Sequence, residues 1–290
     1  MEKRKGFTLI ELLVVISIIA LLMAILIPAL NAAKKMAAGS SCLSNQRTLS
    51  IAWFTYTVDN DGKLVGGDVL KTGTYTPSRS GEMWIDPPLN ANHQCVADTS
   101  QCNTECEKHG IEHGGLAPYT KDVDVYHCPG DKRYQKRPTD PASANVEQNG
   151  GWRTYAIPSG LYGEIGVGGD IWCTIYSQIK NPSQKYVFVE EKDPRGPNSG
   201  SWALNEPQNY NRWDWTDPLA VWHNRKSTLG WADSHATMQR WVDQRTMDTA
   251  EWPAYDDAFK KLRSGHKNSP DLLFMKKHWA PGPREGEPKP

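Results

Sequence analysis

The 290-residue chain has no excess of either charge, with 33 basic side chains against 33 acidic ones. That balance removes the electrostatic footprint of a nucleic-acid-binding protein, so nucleic acid is not among the expected partners. Phenylalanine is scarce, five residues against twelve tryptophans and eleven tyrosines. The aromatic content is therefore mostly amphipathic, able to fill a core while its N–H and O–H groups reach a partner. Six cysteines are too few to make a chain of this length a disulfide scaffold. No internal repeat is visible. No G-x-S-x-G nucleophile motif accompanies the histidines, and Asp59-Asn60-Asp61-Gly62 lacks the later bidentate glutamate of a calcium loop, so it reads as a turn. Catalysis, a resident cofactor and a metal centre are accordingly not expected. The length allows about two domains at most.

Long apolar runs are missing as well, with one exception. Phe7–Leu30 reads FTLIELLVVISIIALLMAILIPAL, about 24 residues and roughly 36 Å as a helix, enough to cross a hydrocarbon core of about 30 Å. Lys3, Arg4 and Lys5 precede the run and the next basic residue is Lys34. The positive-inside bias therefore places the N-terminus in the cytoplasm and the bulk of the chain across the membrane. A secretory signal would show a shorter apolar region and a small-x-small cleavage site, whereas this run is longer and carries Glu11. A carboxylate at the centre of a membrane helix costs about 2.5–3.5 kcal/mol, less near an interface, so it asks for a positive partner. A cut between Gly6 and Phe7 creates one, the α-amino group of Phe7. The first helical turn is already short of acceptors for its own amides, so the attractive arrangement pairs Glu11 of one subunit with Phe7 of its neighbour. Such a pair sets the register of a helical stack.

The string Gly6-Phe7-Thr8-Leu9-Ile10-Glu11, followed by an uninterrupted apolar helix with Pro28, closely resembles the N-terminus of type IV prepilins and type II secretion pseudopilins. The resemblance implies cleavage after Gly6 by a prepilin peptidase, methylation of Phe7, and an assembly role for Glu11. It also implies partners: the peptidase, other pseudopilin subunits in a homo- or hetero-filament, and an inner-membrane assembly platform. Pro28 has no amide for the carbonyl of Ala24, so the helix is expected to kink or melt locally there, unless the proline marks the membrane exit. Losing residues 1–6 leaves 30 basic against 32 acidic side chains, a weakly acidic mature chain.

Beyond Leu30 the helix is expected to continue over 31–58, because Leu49, Ala52, Trp53 and Tyr56 recur at helical spacing. Gly39-Ser40-Ser41 is its weak point. A globular head spans 59–279, with a loop-rich insertion over 63–150 and a frayed tail at 280–290. Strands are expected at Thr154–Ile157, Ile171–Tyr176, Tyr186–Glu190, Thr228–Ala232 and Ala236–Trp241, the last two forming a hairpin through Asp233-Ser234-His235. Ala254–Arg263 reads as a helix, and Leu272–Met275 as a segment that packs on the sheet. The fold class is α+β: a long N-terminal transmembrane and amphipathic helix packed on a mainly antiparallel, pilin-like head.

His223, nine intervening residues, Asp233, a small residue and His235 are similar to the signature of the prepilin-type H-x(9)-D-G domain. Ser234 departs from it and suggests a different or mildly strained turn. Cys42-Leu43-Ser44-Asn45-Gln46, His127-Cys128-Pro129-Gly130-Asp131 and Lys180-Asn181-Pro182-Ser183 fit the same family. Six cysteines allow 15 complete pairings. A bridge between Cys42 and Cys128 is preferred because both lie in family-like segments and it would staple the helix to the head. Cys102, Cys106, His109 and His113 form one stripe on a helix, about 16 Å long at helical rise; local disulfides among Cys95, Cys102 and Cys106 are favoured over zinc. His223 and Asp233 are expected to hold strand ends together through a hydrogen bond. The whole reads as a pseudopilin-like structural subunit of a bacterial inner membrane, single-pass, with an extracytoplasmic head. A different reading makes the head an anchored glycan-binding module, with Trp202, Trp213, Trp215 and Trp222 lining a groove.

Overall fold

The computed structural model describes residues 8–67, 69, 82–94, 104–132, 152–162, 173–192, 201–205, 214–251 and 268–280. Gly6, Phe7, the expected helix at 254–263 and nearly all of the tail lie outside them. One helix, α1, runs Leu9–Asp59, 51 residues, or about 76 Å at helical rise. Every residue from 8 to 37 is exposed, including the whole described part of the apolar run, and burial begins at Gly39. The helix is continuous through Pro28 and through Gly39-Ser40-Ser41, so the local melting expected at the proline does not occur. Ser40 and Ser41 turn their hydroxyls back onto the carbonyls of Met36 and Ala37, which keeps these small residues inside the helical bonding pattern. The helix stops at the expected turn. Asn60 donates from its backbone and side-chain amides to the carbonyl of Tyr56, and Asp61 and Gly62 then take positive φ.

Among the described residues, four antiparallel strands form the main sheet. In chain order they are β1 (Tyr155–Ala156), β2 (Tyr186–Glu190), β5 (Lys226–Trp231) and β6 (Ala236–Arg240), and they neighbour one another in that same order. β3 (Leu204–Asn205) and β4 (Asp214–Trp215) pair as a separate two-stranded ribbon. β2 meets β5 with Tyr186 opposite Trp231 and Val189 opposite Leu229, the register slipping between Tyr186 and Phe188. The β5–β6 hairpin is regular, from Lys226 opposite Arg240 to Gly230 opposite Ala236. Its loop is Ala232-Asp233-Ser234. Ser234 donates to the carbonyl of Trp231, Trp231 donates to His235, and Ser234 sits at φ +74°. That geometry is a turn followed by a left-handed residue, the place where glycine is normally preferred.

Both faces of the sheet are covered, which is why all of β2 is buried and reads as a continuous apolar run rather than an alternating one. On one face the second half of α1 contributes Cys42, Leu49 and Trp53 to a core with Trp84, Ile85, Tyr155 and Phe188. Leu49, Ala52 and Trp53 are buried as their spacing indicates, while Tyr56 is half-buried. On the other face Tyr186, Val189, Leu229 and Trp231 pack with Trp202 and Trp215 of the ribbon region, with Met247 of α4 (Gln244–Glu251), and with Leu272 and Met275 of α5 (Pro270–Lys277). Within the insertion, α2 (Thr104–His113) and α3 (Ala117–Thr120) flank the first core.

Two expected features differ. Described residues 173–176 form no named strand. Ile175 makes one isolated bridge to Lys63, and the side chain of Gln178 captures the amides of Thr174 and Ile175 at 2.7 and 3.2 Å, so those donors are unavailable to a ladder. His223 and Asp233 do not bond each other. They stand at opposite ends of β5, His223 against Glu190 and Asp233 against His235, because the spacing of nine spans a full strand rather than folding back.

The tightest approach of helix to sheet is at Gly230. A Cβ there would lie 2.2 Å from Ser50 Oγ, 2.9 Å from Gln46 Oε1 and 3.1 Å from the Gln46 carbonyl. Gly230→Ala should therefore destabilise the head by about 1–3 kcal/mol, the usual cost of overpacking, read as a lower midpoint in chemical denaturation. A neutral result would mean that α1 does not rest on β5.

Candidate functional site

Among the described residues, two regions bring chemistry-bearing residues together, and α1 carries both. At its N-terminus Thr8 is the capping residue. Its hydroxyl accepts from the Glu11 amide at 3.3 Å, and the Glu11 carboxylate accepts from the Thr8 amide at 2.9 Å and from the Thr8 hydroxyl at 2.8 Å. This is a complete capping box, and the Thr-x-x-Glu spacing was the sequence signal for it. Sequence reasoning that sought a partner for Glu11 on a neighbouring chain passed over this local one. The carboxylate is thus held at the helix tip, exposed, with its two donors drawn from one residue.

The second region is the seam between α1 and the sheet. Cys42 and Cys128 are joined by a disulfide with Cα atoms 5.3 Å apart and a sequence separation of 86. His223 Nε2 lies 3.3 Å from Cys128 Sγ and 3.1 Å from Glu190 Oε1. Thr228 Oγ1 donates to the same carboxylate oxygen at 2.5 Å, and the Gly130 amide points at Cys128 Sγ from 3.3 Å. All four residues, Cys42, Cys128, Glu190 and His223, are buried, and their donor atoms lie within 4.8 Å of one another. Glu190 Oε2 and His223 Nδ1 have no hydrogen-bond partner among the described residues. Burial, and next the nearby Glu190 carboxylate, push the Tyr155 hydroxyl well above the usual phenol range, so it borders this cluster as a neutral group.

Each element delivers its residue for a local reason. On α1 the spacing of Gly39, Cys42 and Gln46 places one stripe against the sheet. Gly39 leaves room for the His223 ring, since a Cβ there would lie 3.4 Å from His223 Cγ and 2.9 Å from Met238 Cε. Asn45 donates to the carbonyl of His127 at 2.9 Å, fixing the loop that carries Cys128, and Gln46 donates to the carbonyl of Thr228 at 3.2 Å, fixing β5. His127 Nδ1 bonds the carbonyl of Trp152 at 2.8 Å, and Thr154 Oγ1 both receives the Cys128 amide and donates to Asp131. The segments 42–46 and 127–131 therefore clamp the loop to the helix through side chains that the motif spacing alone does not assign. Glu190 was not singled out from the sequence. As the last residue of an apolar strand, YVFVE, it carries only the weak signal of a carboxylate in a buried run.

Other expected residues are dispersed. Cys106, His109 and His113 lie on α2, whereas Cys95 and Cys102 fall outside the described residues. His93 stacks on His113 at 4.1 Å, and His109 Nδ1 donates to the carbonyl of Leu89. Among the described residues, the donors that converge are those of the seam rather than of this stripe. Burial raises the Cys173 thiol to about 11, so it is an inert core residue at neutral pH. Trp202 and Trp215 are buried at 0% and 2% exposure and pack edge to face with centroids 6.2 Å apart. Trp222 is half-buried against the first core, and Trp213 lies outside the described residues. A groove lined by these rings is not formed by the buried pair.

Residues 1–27 match the family model described as the prokaryotic N-terminal methylation motif. Over 37 residues the chain is 68% identical to the type IV wide pilus major component PilA4 of Thermus thermophilus, an overlap that covers 13% of this chain and 28% of that protein. The chain therefore spans little more than a quarter of this curated relative. No solved structure matches. The N-terminus is of the prepilin type, and α1 is the one described helix long and apolar enough to cross a membrane.

The disulfide closes a long loop, and such a closure contributes about 2–4 kcal/mol, chiefly by restricting the unfolded chain. Cys128→Ala should lower the unfolding free energy by that amount relative to the oxidised chain, read from chemical denaturation, and the difference should shrink when both are measured in a phosphine reductant. Equal midpoints under oxidising conditions would show that the bridge does not staple helix to head.

Proposed function

We propose that this chain is a pilin- or pseudopilin-like structural subunit, cut between Gly6 and Phe7 by a prepilin peptidase, methylated at Phe7, and polymerised through the exposed first half of α1. The observation that carries the reading is the division of one helix. Residues 8–37 bury nothing, while the half that follows is the central packing element of the head. A bare apolar rod of this length is stable only in lipid or against other rods. The prepilin-type motif over residues 1–27 and the likeness to a pilus subunit over 37 residues support the second partner as well as the first.

In this reading the membrane stores the subunit, with the N-terminus cytoplasmic and the head extracytoplasmic, where a disulfide such as Cys42–Cys128 persists. Extraction into a type IV pilus-like or type II secretion filament exchanges lipid contacts for helix–helix contacts. During that exchange Glu11 leaves the Thr8 capping box, at least in part, and accepts from the Phe7 amine of the adjacent subunit. An inner-membrane platform and neighbouring subunits of the same class complete the assembly. The burial of Trp202 and Trp215 weighs against an anchored glycan-binding head.

Mass spectrometry of the mature chain should show a start at Phe7 with one added methyl group, and a retained Met1–Gly6 would overturn the processing step. Two substitutions separate the cap from the ion pair. Glu11→Gln preserves a side-chain acceptor for the Thr8 amide but carries no charge, whereas Glu11→Ala loses both, with about 1 kcal/mol of capping energy. Both variants should insert and be cleaved yet co-sediment poorly with filaments. Normal assembly of Glu11→Gln would reduce Glu11 to a capping residue.

A further inference from the structure

The seam of the head holds a donor set that the polymer reading does not use. Cys42, Cys128, His223 and Glu190 come from α1, the loop after the 3₁₀ turn Val123–Tyr126, the approach to β5 and the end of β2. Their ligand atoms, two sulfurs, one imidazole nitrogen and one carboxylate oxygen, all fall within 4.8 Å. Two thiolates, one imidazole and one carboxylate are a tetrahedral set suited to zinc. At ordinary zinc–ligand distances the donors of such a site stand about 3.3–3.8 Å apart. Here His223 Nε2 is already 3.3 Å from Cys128 Sγ and 3.1 Å from Glu190 Oε1.

The surroundings of the cluster also favour a cation. The Glu190 side chain is 0% exposed and that of His223 is 2% exposed. Among the described residues no lysine or arginine side chain pairs with Glu190, and its Oε2 has no hydrogen-bond partner. Burying a carboxylate is costly unless a compensating charge accompanies it. Outer groups hold the donors in place: Thr228 Oγ1 donates to Glu190 Oε1 and the Gly130 amide points at Cys128 Sγ. Oriented partners of this kind, one on a carboxylate and one on a sulfur, are what fixes the ligands of structural metal sites.

We propose that the Cys42–Cys128 pair is a redox-gated metal site. As the disulfide it cross-links α1 to the head; as two thiols it binds one zinc ion together with His223 and Glu190. The interconversion is balanced by a dithiol reductant. The reductant's two thiols become its own disulfide, the protein S–S bond breaks, and two S–H groups form on Cys42 and Cys128. A divalent ion then displaces both thiol protons and binds two thiolates. Either state joins the helix to the loop and the sheet, so the seam stays fastened on both sides of a redox boundary.

Cobalt(II) tests this with the full mature chain in detergent micelles. After phosphine reduction and removal of the reductant, one cobalt per chain should bind with a thiolate-to-cobalt charge-transfer band and the intense visible absorption of a tetrahedral site. The oxidised chain should show neither. His223→Gln and Glu190→Gln should each weaken binding at least tenfold, and Cys128→Ser should remove the charge-transfer band or halve it. A measurement on the unaltered chain guards against unfolding of these variants. Zinc should slow maleimide labelling of Cys42 and Cys128 in peptide mass mapping, and the protection should vanish with a chelator. The idea is overturned if the reduced chain gives no cobalt–thiolate band. It is equally overturned if zinc protects only cysteines among 95, 102, 106 and 173, or if the band is unchanged in both His223→Gln and Cys128→Ser.

Discussion

Contact between the second half of α1 and the sheet is fastened by three different forces at one place. Apolar burial draws Leu49 and Trp53 onto Tyr155 and Phe188. Directional hydrogen bonds from Asn45 and Gln46 fix the loop at His127 and the strand at Thr228. A covalent bridge then joins Cys42 to Cys128. Burial alone is non-directional and would tolerate sliding along the helix axis, whereas the two amide side chains and the bridge assign a register. The close approach at Gly230 and the ring space at Gly39 depend on that register, since both glycines function only opposite particular neighbours.

That seam also explains how one helix can serve two surroundings. A rod exposed over residues 8–37 has no packing of its own to hold its direction, so its orientation relative to the head is inherited from the packed half. The unbroken path through Pro28 makes the inheritance mechanical. Force or displacement applied to the apolar half would reach the head through the residues near Cys42. The first half is specified by what surrounds it and the second by what it touches, and the change of regime falls at Gly39, where the helix first approaches Met238 and His223.

The far face of the sheet has a separate logic. Tyr186, Trp202, Trp215, Trp231 and Trp279 pack there at inclined angles, Tyr186 with both Trp202 and Trp279, and Trp202 with Trp215. Large amphipathic rings fill a thick second layer from few residues, and the Tyr186 hydroxyl reaches the carbonyl of Met275 while Trp241 Nε1 reaches Ser227. The abundance of tryptophan is thereby explained in good part by core volume. Rings buried as Trp202 and Trp215 are are poor candidates for a platform that must face solvent.

The amino-acid order by itself determined the apolar helix, its length, the break at Asp59–Gly62, the strand Tyr186–Glu190 and the C-terminal hairpin, because each is written in local periodicity or turn chemistry that the chain carries wherever it goes. The capping box at Thr8 and Glu11 was equally local and open to reading. Tertiary structure alone decided that His223 faces Glu190 and Cys128 rather than Asp233, and that Glu190 closes a four-donor cluster. Those outcomes depend on which elements meet across separations of 33 and 95 residues. Spacing along a chain records the period of one element, and it carries no measure of the distance between two elements until a core has brought them together.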